Sequence, residues 1–185
     1  MKNKLFTALC LLLLVTAVQA QDKYYTKSGR IHFFSKAPLE DIQATNKSAV
    51  CVLDTKTGSL QFSVLIKGFE FENEEMQEHF NENYLESDKY PKSEFKGQIT
   101  NNTAINYSKP GIYTANVKGQ LTIHGVTKEV QTTGTIKVEG AALKTAASFN
   151  IQVADYGIKI ASIMKDRIAK IIKVSVDTKL EPFKG

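Results

Sequence analysis

The chain has 185 residues and a formal net charge of +5, which is about the size of one domain with a small excess of positive charge. Arginine occurs only at Arg30 and Arg167, so the arginine clusters and interleaved basic and aromatic residues of nucleic-acid-binding proteins are missing. This mild charge requires no nucleic-acid partner.

The first twenty residues predict a secretory signal peptide. Lys2 and Lys4 give a positive start, residues 5–18 form an almost unbroken apolar run, and residues 18–20 fit the small-x-small cleavage pattern. A membrane anchor is the alternative, but this apolar run of 14 residues is shorter than the about 20 that a spanning helix needs. We expect cleavage near Ala20, a periplasmic or secreted location, and a net charge of +3 on the remaining chain, because Lys2 and Lys4 are lost.

One cysteine, Cys51, follows this leader. An exported chain with one cysteine forms no internal disulfide, so its stability must come from a packed core. Cys51 stands between Val50 and Val52, and free cysteine is among the most buried residue types. We therefore expect a buried side chain rather than a reactive thiol. Residues 21–185 contain no second apolar stretch that could span a membrane, and they predict a single domain.

Apolar and polar residues alternate with a period of two through most of the chain, which predicts strands with one apolar face. Leu60, Phe62 and Val64, for example, alternate with Gln61 and Ser63. We expect eight or nine such strands in total. The predicted strands are 24–34, 39–45 and 48–53, which have the weaker pattern, and then 60–66, 113–123, 126–138, 147–153 and 172–176.

Short turns separate these strands. Gly58, Gly125 and Gly140 each lie in a predicted turn, and residues 108–111 form a Ser-Lys-Pro-Gly turn. Connections this short join antiparallel neighbours. The pattern favours a closed barrel, because closure removes exposed strand edges from an all-β protein. A β-sandwich is the alternative that the pattern leaves open.

Residues 73–85 have a helical period instead. Asn73 is suited to cap the helix, and Glu74 and Glu75 favour the positive end of its dipole. One apolar stripe follows at i, i+4 and i+8, so this helix must cover an apolar surface, either as a plug or as a movable gate. A second helical turn within 161–170 has ambiguous spacing. The stripe consists of Met76, Phe80 and Tyr84.

Residues with catalytic chemistry give no recognisable motif. His32, His79 and His124 are not in the close pairs that metal ligands usually form, and His79 with Glu75 reads equally well as a helix surface pair. Neither a Gly-x-Ser-x-Gly elbow nor a phosphate-binding glycine loop occurs. We expect no catalytic residues and no metal. A hydrolase with a serine or histidine site is the last-ranked alternative.

Large and small residues alternate along the predicted inner face of the strands. They could tile a filled barrel core, which the pattern alone favours, or line a tunnel that the small residues keep open for a ligand. If the tunnel exists, these residues and the helix stripe are the candidate ligand-binding set. The set is Phe62, Val64, Ile66, Phe69, Met76, Phe80, Tyr84, Tyr113, Ala115, Val117, Gly119, Leu121, Phe149 and Ile151.

Three phrases resemble the YceI-like family and occur in the family's order. The first contains Phe-x-Phe, Met-Gln-Glu-His-Phe, Asp-Lys-Tyr-Pro and Phe-Lys-Gly within residues 69–97; the second is Leu-Thr-Ile-His-Gly-Val-Thr-Lys at 121–128; the third is Asp-Tyr-Gly-Ile at 155–158. The resemblance implies an eight-stranded antiparallel barrel of lipocalin type with one flanking amphipathic helix. It also implies a periplasmic protein that holds a long isoprenoid chain in an apolar tunnel, with no catalytic residues.

These observations together predict an exported, non-enzymatic binding protein whose barrel interior holds an extended apolar molecule. The mechanism is burial, since each CH₂ group removed from water contributes about 0.8 kcal/mol. We expect no cofactor other than a bound isoprenoid or other lipid, and homodimerisation is left open. The alternative is a ligand-free structural or stress-related barrel that acts through a protein partner.

Overall fold

The computed structural model describes residues 22–183, so the predicted signal peptide at 1–20 lies outside the described residues. More than half of the described chain is strand, as the period-two alternation predicts. The strands are β1 (Lys23–Lys36), β2 (Asp41–Asp54), β3 (Ser59–Leu65), β4 (Phe69–Phe71), β5 (Lys92–Ile99), β6 (Gly111–Ile123), β7 (Val126–Glu139), β8 (Ala142–Gln152) and β9 (Ile171–Pro182). The helix α1 (Glu74–His79) lies between β4 and β5.

Eight of these strands close into a barrel within residues 22–183. Every neighbouring pair is antiparallel, in the order β1-β9-β8-β7-β6-β5-β3-β2, and β2 pairs with β1 to complete the ring. This confirms the predicted eight-stranded antiparallel barrel of lipocalin type with one flanking helix. Closure pairs the two edge strands of the sheet with each other. The size of the inward-facing side chains then decides whether the barrel interior is filled or hollow.

The ninth strand, β4, continues the line of β3 along β2 after a break. A 3₁₀ turn at Ile66–Gly68 separates the two strands. The fully buried Asn46 on β2 holds this break, because its Nδ2 donates to Leu65 O at 2.9 Å and its Oδ1 accepts from Ser48 N at 2.8 Å. Gly68 is needed here, since a Cβ would lie 2.6 Å from Asn46 Nδ2.

Three details of the predicted strands are wrong. The segments 39–45 and 48–53 are one strand, β2, because the polar Asn46 between them is a buried hydrogen-bonding residue rather than a turn residue. The strand β5 was not predicted at all, because Gly97 interrupts its short apolar face. The three-residue strand β4 was not predicted either, because it is too short to show an alternation. One merged strand and two additional ones turn the eight listed strands into the nine observed.

The helix begins as predicted. Asn73 Oδ1 accepts a hydrogen bond from Met76 N at 3.2 Å, and Glu74 and Glu75 lie in the first turn. After His79 the helix widens into a π turn at Phe80–Tyr84. The ambiguous segment at 161–170 contains only a 3₁₀ turn, at Ser162–Met164.

The barrel is tightly packed at the end opposite α1. Leu53, Leu143 and Leu180 are fully buried there, in one cluster with Val138 and Ile105. Cys51 belongs to the same cluster and is a free, fully buried cysteine, as expected. Burial raises the pKa of its thiol, which keeps the thiol protonated and unreactive.

Candidate ligand cavity

A cavity of about 310 Å³ occupies the part of the barrel nearer α1. Its floor includes Leu53, Leu60 and Ile136, which belong to the packed core at the opposite end. The interior is therefore filled at one end and hollow at the other, which combines the two alternatives that the sequence pattern left open.

Most of the predicted ligand-binding residues line this cavity. They come from β3, the 3₁₀ turn after it, β4, the helix stripe, β6 and β8, which the barrel brings to a single inner surface. Whether they contact a ligand stays a prediction. Twelve of the fourteen lie in the wall: Phe62, Val64, Ile66, Phe69, Met76, Phe80, Tyr84, Ala115, Val117, Leu121, Phe149 and Ile151.

Gly119 faces inward but does not line the cavity, because the ring of Phe95 lies over it. A Cβ on Gly119 would be 2.6 Å from Phe95 Cζ, and a Cβ on the facing Gly97 would be 2.4 Å from the same atom. The expectation that Gly119 leaves room for a ligand is corrected here. The two glycines instead let Phe95 lie flat against the barrel wall.

Tyr113 is also outside the cavity wall. Its ring packs against the core at the filled end, and its hydroxyl donates to the carbonyl oxygen of Lys109 at 3.0 Å. The sequence placed Tyr113 on the inner face correctly, but the strand β6 is long enough that this residue lies beyond the hollow part.

Three inward-facing residues of β8 show that no other side chains fill the hollow next to this strand. Ala147, Phe149 and Ile151 face inward, yet each remains half-buried. Pairing between β7 and β8 ends at Gly134 and Ala147 although both strands continue toward the α1 end. The wall of the cavity is therefore widened along this side.

Four phenylalanine rings close the side of the cavity beneath α1. Phe80 stacks on Phe33 with ring centroids 5.5 Å apart and also contacts Phe69 and Phe71 at 5.7 and 5.0 Å. Pairs of aromatic rings at these separations add stability beyond the area they bury. The predicted stripe thus docks the helix onto the barrel, and Met76, Phe80 and Tyr84 all face the cavity.

The segment 157–170 borders the cavity on another side, which the sequence did not reveal. Ile158, Ile160, Met164 and Ile168 line the cavity from this segment. The irregular backbone has neither a helical nor a strand period, so no pattern marked these residues. Other unpredicted lining residues lie on regular strands, namely Ile31, Phe33, Ile42, Phe95, Ile172, Val174 and Val176.

The cavity wall contains few ionisable groups. Glu40, His79 and Glu94 are the carboxylate and imidazole residues among its lining. Burial raises the pKa of the Tyr84 hydroxyl, so this group stays neutral at physiological pH. An interior of this kind suits a molecule held by burial of apolar surface, with polar contacts confined to few positions.

The three histidines lie apart from one another. His32 Nδ1 is 3.1 Å from Thr45 Oγ1, His79 is on α1, and His124 is beside Glu86 and Tyr156. Within residues 22–183, no group of three or more His, Cys, Asp or Glu side chains is arranged to hold a metal ion. None of the helices in the same range has the length and apolar character that crossing a membrane requires.

Comparison with known proteins relates this architecture to one family. The model of the YceI-like domain matches residues 25–180, whereas no curated protein sequence matches the chain. A polyisoprenoid-binding domain from Saccharophagus degradans, implicated in plant cell wall breakdown, superposes with a TM-score of 0.76 at 12% identity, covering 89% of this chain and 100% of its own.

Two further structures have a similar fold. BcnA from Burkholderia cenocepacia superposes with a TM-score of 0.66 at 18% identity, covering 82% of this chain and 95% of its own. The YCEI protein of Campylobacter jejuni gives a TM-score of 0.56 at 18% identity, covering 74% and 81% of the two chains. At these identities the superpositions establish a shared barrel fold.

Proposed function

Because this chain belongs to the YceI-like domain family, we propose that it is an exported, non-enzymatic protein that holds an extended apolar molecule inside its barrel. The ligand class is an isoprenoid or another lipid with a long hydrocarbon chain. The export part of the proposal rests on the leader-like residues 1–20, which direct a protein to the periplasm or the exterior.

The observation that carries the proposal is the apolar cavity of about 310 Å³. A filled barrel of this size would be more stable, since an unfilled space lacks the dispersion contacts that packed side chains make. The hollow is lined by residues from most strands and by the helix stripe, so it belongs to the barrel interior itself. A ligand that fills it restores those contacts.

Burial of hydrocarbon supplies the binding energy in this proposal. Each buried CH₂ contributes about 0.8 kcal/mol before the costs of association and ordering are subtracted. A long chain therefore needs few polar contacts. The structural similarity to the polyisoprenoid-binding domain from Saccharophagus degradans supports this ligand class. The low number of ionisable residues in the cavity lining is consistent with it.

The direct test is organic extraction and native mass spectrometry of the protein purified from its own expression host. We expect a co-purified lipid in the wild type. Val130→Phe and Ala115→Phe, which both put a ring into the cavity, should reduce the bound lipid. Val52→Phe is the matched control, because Val52 is on the outside of β2 and is exposed.

The same preparations separate the alternatives. A folded wild type that carries no lipid, and that takes up no added polyprenol, contradicts the proposal and favours the ligand-free barrel that acts through a protein partner. An ester-hydrolysing activity that His79→Ala abolishes would favour a hydrolase. Circular dichroism of each variant checks that loss of lipid is not loss of the barrel.

A further inference from the structure

The end of the barrel that borders the cavity carries exposed apolar side chains that are flanked in the sequence by cationic residues. We propose that this surface docks onto an anionic lipid bilayer. The surface consists of residues 36–41 and 158–173, and is called the basic lip below. The proposal rests on the proposed function in one respect: docking there would bring the cavity next to the membrane that contains its ligand.

Two separate segments are joined to form the basic lip. Leu39 N donates to the carbonyl oxygen of Asp166 at 2.9 Å, Arg167 lies 3.5 Å from the Glu40 carboxylate, and Ala169 N donates to the buried Ser35 Oγ at 3.0 Å. These contacts fix the β1–β2 turn against the segment that follows β8. The lip is therefore one continuous surface.

The apolar part of the lip is unusually exposed. Ile163 is 87% exposed and Leu39 is 69% exposed, and Ile171 is also exposed. Burying a side chain of this size in an apolar medium is favourable, so leaving it in water points to a partner. Met164 and Ile168, in the same segment as Ile163, line the cavity instead, so the segment presents apolar groups to both sides.

Cationic residues flank these apolar residues along both segments of the chain. The lip contains six cationic residues and three acidic ones, Glu40, Asp41 and Asp166, so its formal charge is +3. Glu40 is already paired with Arg167, and Asp41 is opposite Lys36 in the β1–β2 ladder. The exposed cationic residues are Lys36, Lys159, Lys165, Arg167, Lys170 and Lys173.

Charge complementarity selects the partner. Apolar side chains that insert at the interface, combined with lysines that remain at headgroup level, are the arrangement that binds anionic membranes. The other side of the same barrel end has the opposite charge, since residues 70–86 include seven glutamates and no lysine or arginine. An anionic bilayer therefore attracts the lip and repels α1, which orients the docked protein.

A tryptophan reporter tests the contact directly, because the chain contains no tryptophan of its own. Ile163→Trp should shift its emission to the blue, and brominated lipid should quench it, on vesicles of equal parts phosphatidylglycerol and phosphatidylcholine. The matched control is Ile112→Trp, since Ile112 is 70% exposed on the opposite end of the barrel. An equal response from the Ile112→Trp reporter would overturn the proposal.

Vesicle flotation gives the affinity. Ile163→Ser should weaken binding about tenfold, and Lys165→Gln with Lys170→Gln about thirtyfold at low salt. Lys56→Gln with Lys109→Gln, exposed at the opposite end, should leave binding unchanged. Absence of binding to anionic vesicles, or binding that neither salt nor these changes weaken, contradicts the proposal.

Two further measurements separate membrane docking from dimerisation through the same surface and from ligand binding in the cavity. If light scattering shows that Ile163→Ser dissociates a dimer while vesicles do not bind, the surface joins two copies of the chain and the membrane proposal fails. Lipid extraction reports on the cavity independently, because Ile163 is not among its lining residues. A folded Ile163→Ser protein that retains its lipid but loses vesicle binding supports docking at the lip.

Discussion

His124 and Glu86 are the two non-glycine residues with positive φ in the described chain, at 51° and 43°, and they are hydrogen-bonded to each other. His124 Nε2 lies 2.6 Å from Glu86 Oε2, and its Nδ1 lies 3.2 Å from the carbonyl oxygen of Tyr156. The imidazole also packs against the Tyr90 ring in a T-shaped arrangement, with a centroid distance of 4.6 Å. A side-chain hydrogen bond thus links the two strained backbone positions, which persist only where surrounding contacts hold them.

This pair joins three parts of the barrel end. Glu86 follows the helix, His124 is in the β6–β7 turn, and Tyr156 follows β8. The His124 side chain is 13% exposed, so its contacts are shielded from water. The segment between α1 and β5 has no ladder of its own, and these contacts hold it against the barrel.

We expect His124→Ala to lower the free energy of unfolding by about 1.5–3 kcal/mol, the range for a hydrogen bond to a charged group that is partly shielded. Urea unfolding measures the loss, and hydrogen exchange should show faster opening of residues 85–91. Glu129→Ala is the control, because its pair with Lys118 is exposed and should contribute at most about 1 kcal/mol. Equal losses in both variants would contradict a structural role for His124.

A second prediction concerns the glycine beside His124. Gly125 has φ of +73° and a Cβ there would lie 2.5 Å from Tyr90 Cε1, whereas Gly140 has φ of +60° and nothing within 4 Å. Gly140→Ala should cost about 1–2 kcal/mol for its backbone conformation alone. Gly125→Ala should cost more, because it also displaces Tyr90. Thermal unfolding of the two variants compares them, and a similar cost would show that Tyr90 moves freely.

The wall beneath Phe95 gives a third prediction. A Cβ on Gly119 would lie 2.5 Å from Gly97 Cα and 2.6 Å from the carbonyl oxygen of Lys96, and backbone atoms cannot move aside as a side chain can. Gly119→Ala should therefore destabilise the barrel by at least about 1–3 kcal/mol. Gly111→Ala on the same strand is the control, since its nearest atoms are at 3.4 Å. Denaturant unfolding of both proteins decides, and a neutral Gly119→Ala would mean that the two strands separate easily.

The chain's own pattern was sufficient for the parts of the fold where one periodicity persists. The alternation on β6 runs unbroken, and Ala115, Val117 and Leu121 all reach the cavity as that alternation implies. The cap at Asn73 was equally visible, because a capping residue followed by acidic residues is a local signal.

Other parts depended on contacts distant in sequence. Asn46 reads as a turn residue until its hydrogen bond to Leu65, on another strand, is known. Phe33 lines the cavity, but the adjacent Phe34 breaks the apolar–polar alternation of β1. The sequence pattern therefore did not identify Phe33 as a lining residue. The segment 157–170, which carries several lining residues, is held by hydrogen bonds to β1 and the β1–β2 turn and has no regular period, so local sequence could not reveal those residues.

The docking of the helix gives a fourth prediction. The eleven residues of α1 and the π turn are too few for a helix that is stable alone in water, so their order depends on Phe80 and its three ring contacts. Phe80→Ala should cost about 2 kcal/mol, less than a fully buried phenylalanine would. Phe183→Ala, whose ring meets only Tyr25 among the aromatic contacts of the described chain, should cost less.

The same variant bears on access to the cavity. A loosened helix should speed the exchange of a hydrophobic dye into the barrel in Phe80→Ala, measured by stopped-flow fluorescence. Phe183→Ala should exchange at the wild-type rate. If Phe80→Ala lowers stability but leaves the dye kinetics unchanged, the dye enters by another side of the cavity, such as the widened wall between β7 and β8.

The filled end of the barrel gives a prediction on pH. The Tyr107 hydroxyl donates to Asn102 Oδ1 at 2.7 Å, and burial raises the pKa of Tyr107 to about 12. In the unfolded chain a tyrosine has a pKa near 10, so the folded state keeps its proton where the unfolded state loses it. The contribution of Tyr107 to stability is complete below about pH 10 and is lost as the pH rises toward about 12.

Tyr107→Phe tests this sign. At neutral pH it should lose about 1 kcal/mol with the hydrogen bond to Asn102, but between about pH 10 and 12 its stability should fall less steeply than that of the wild type. Urea midpoints measured across that interval give the two slopes. Burial also raises the pKa of Tyr84 and Tyr156, so some alkaline dependence should remain in the variant. Parallel slopes would show that ionisation of Tyr107 does not lower the stability of the protein.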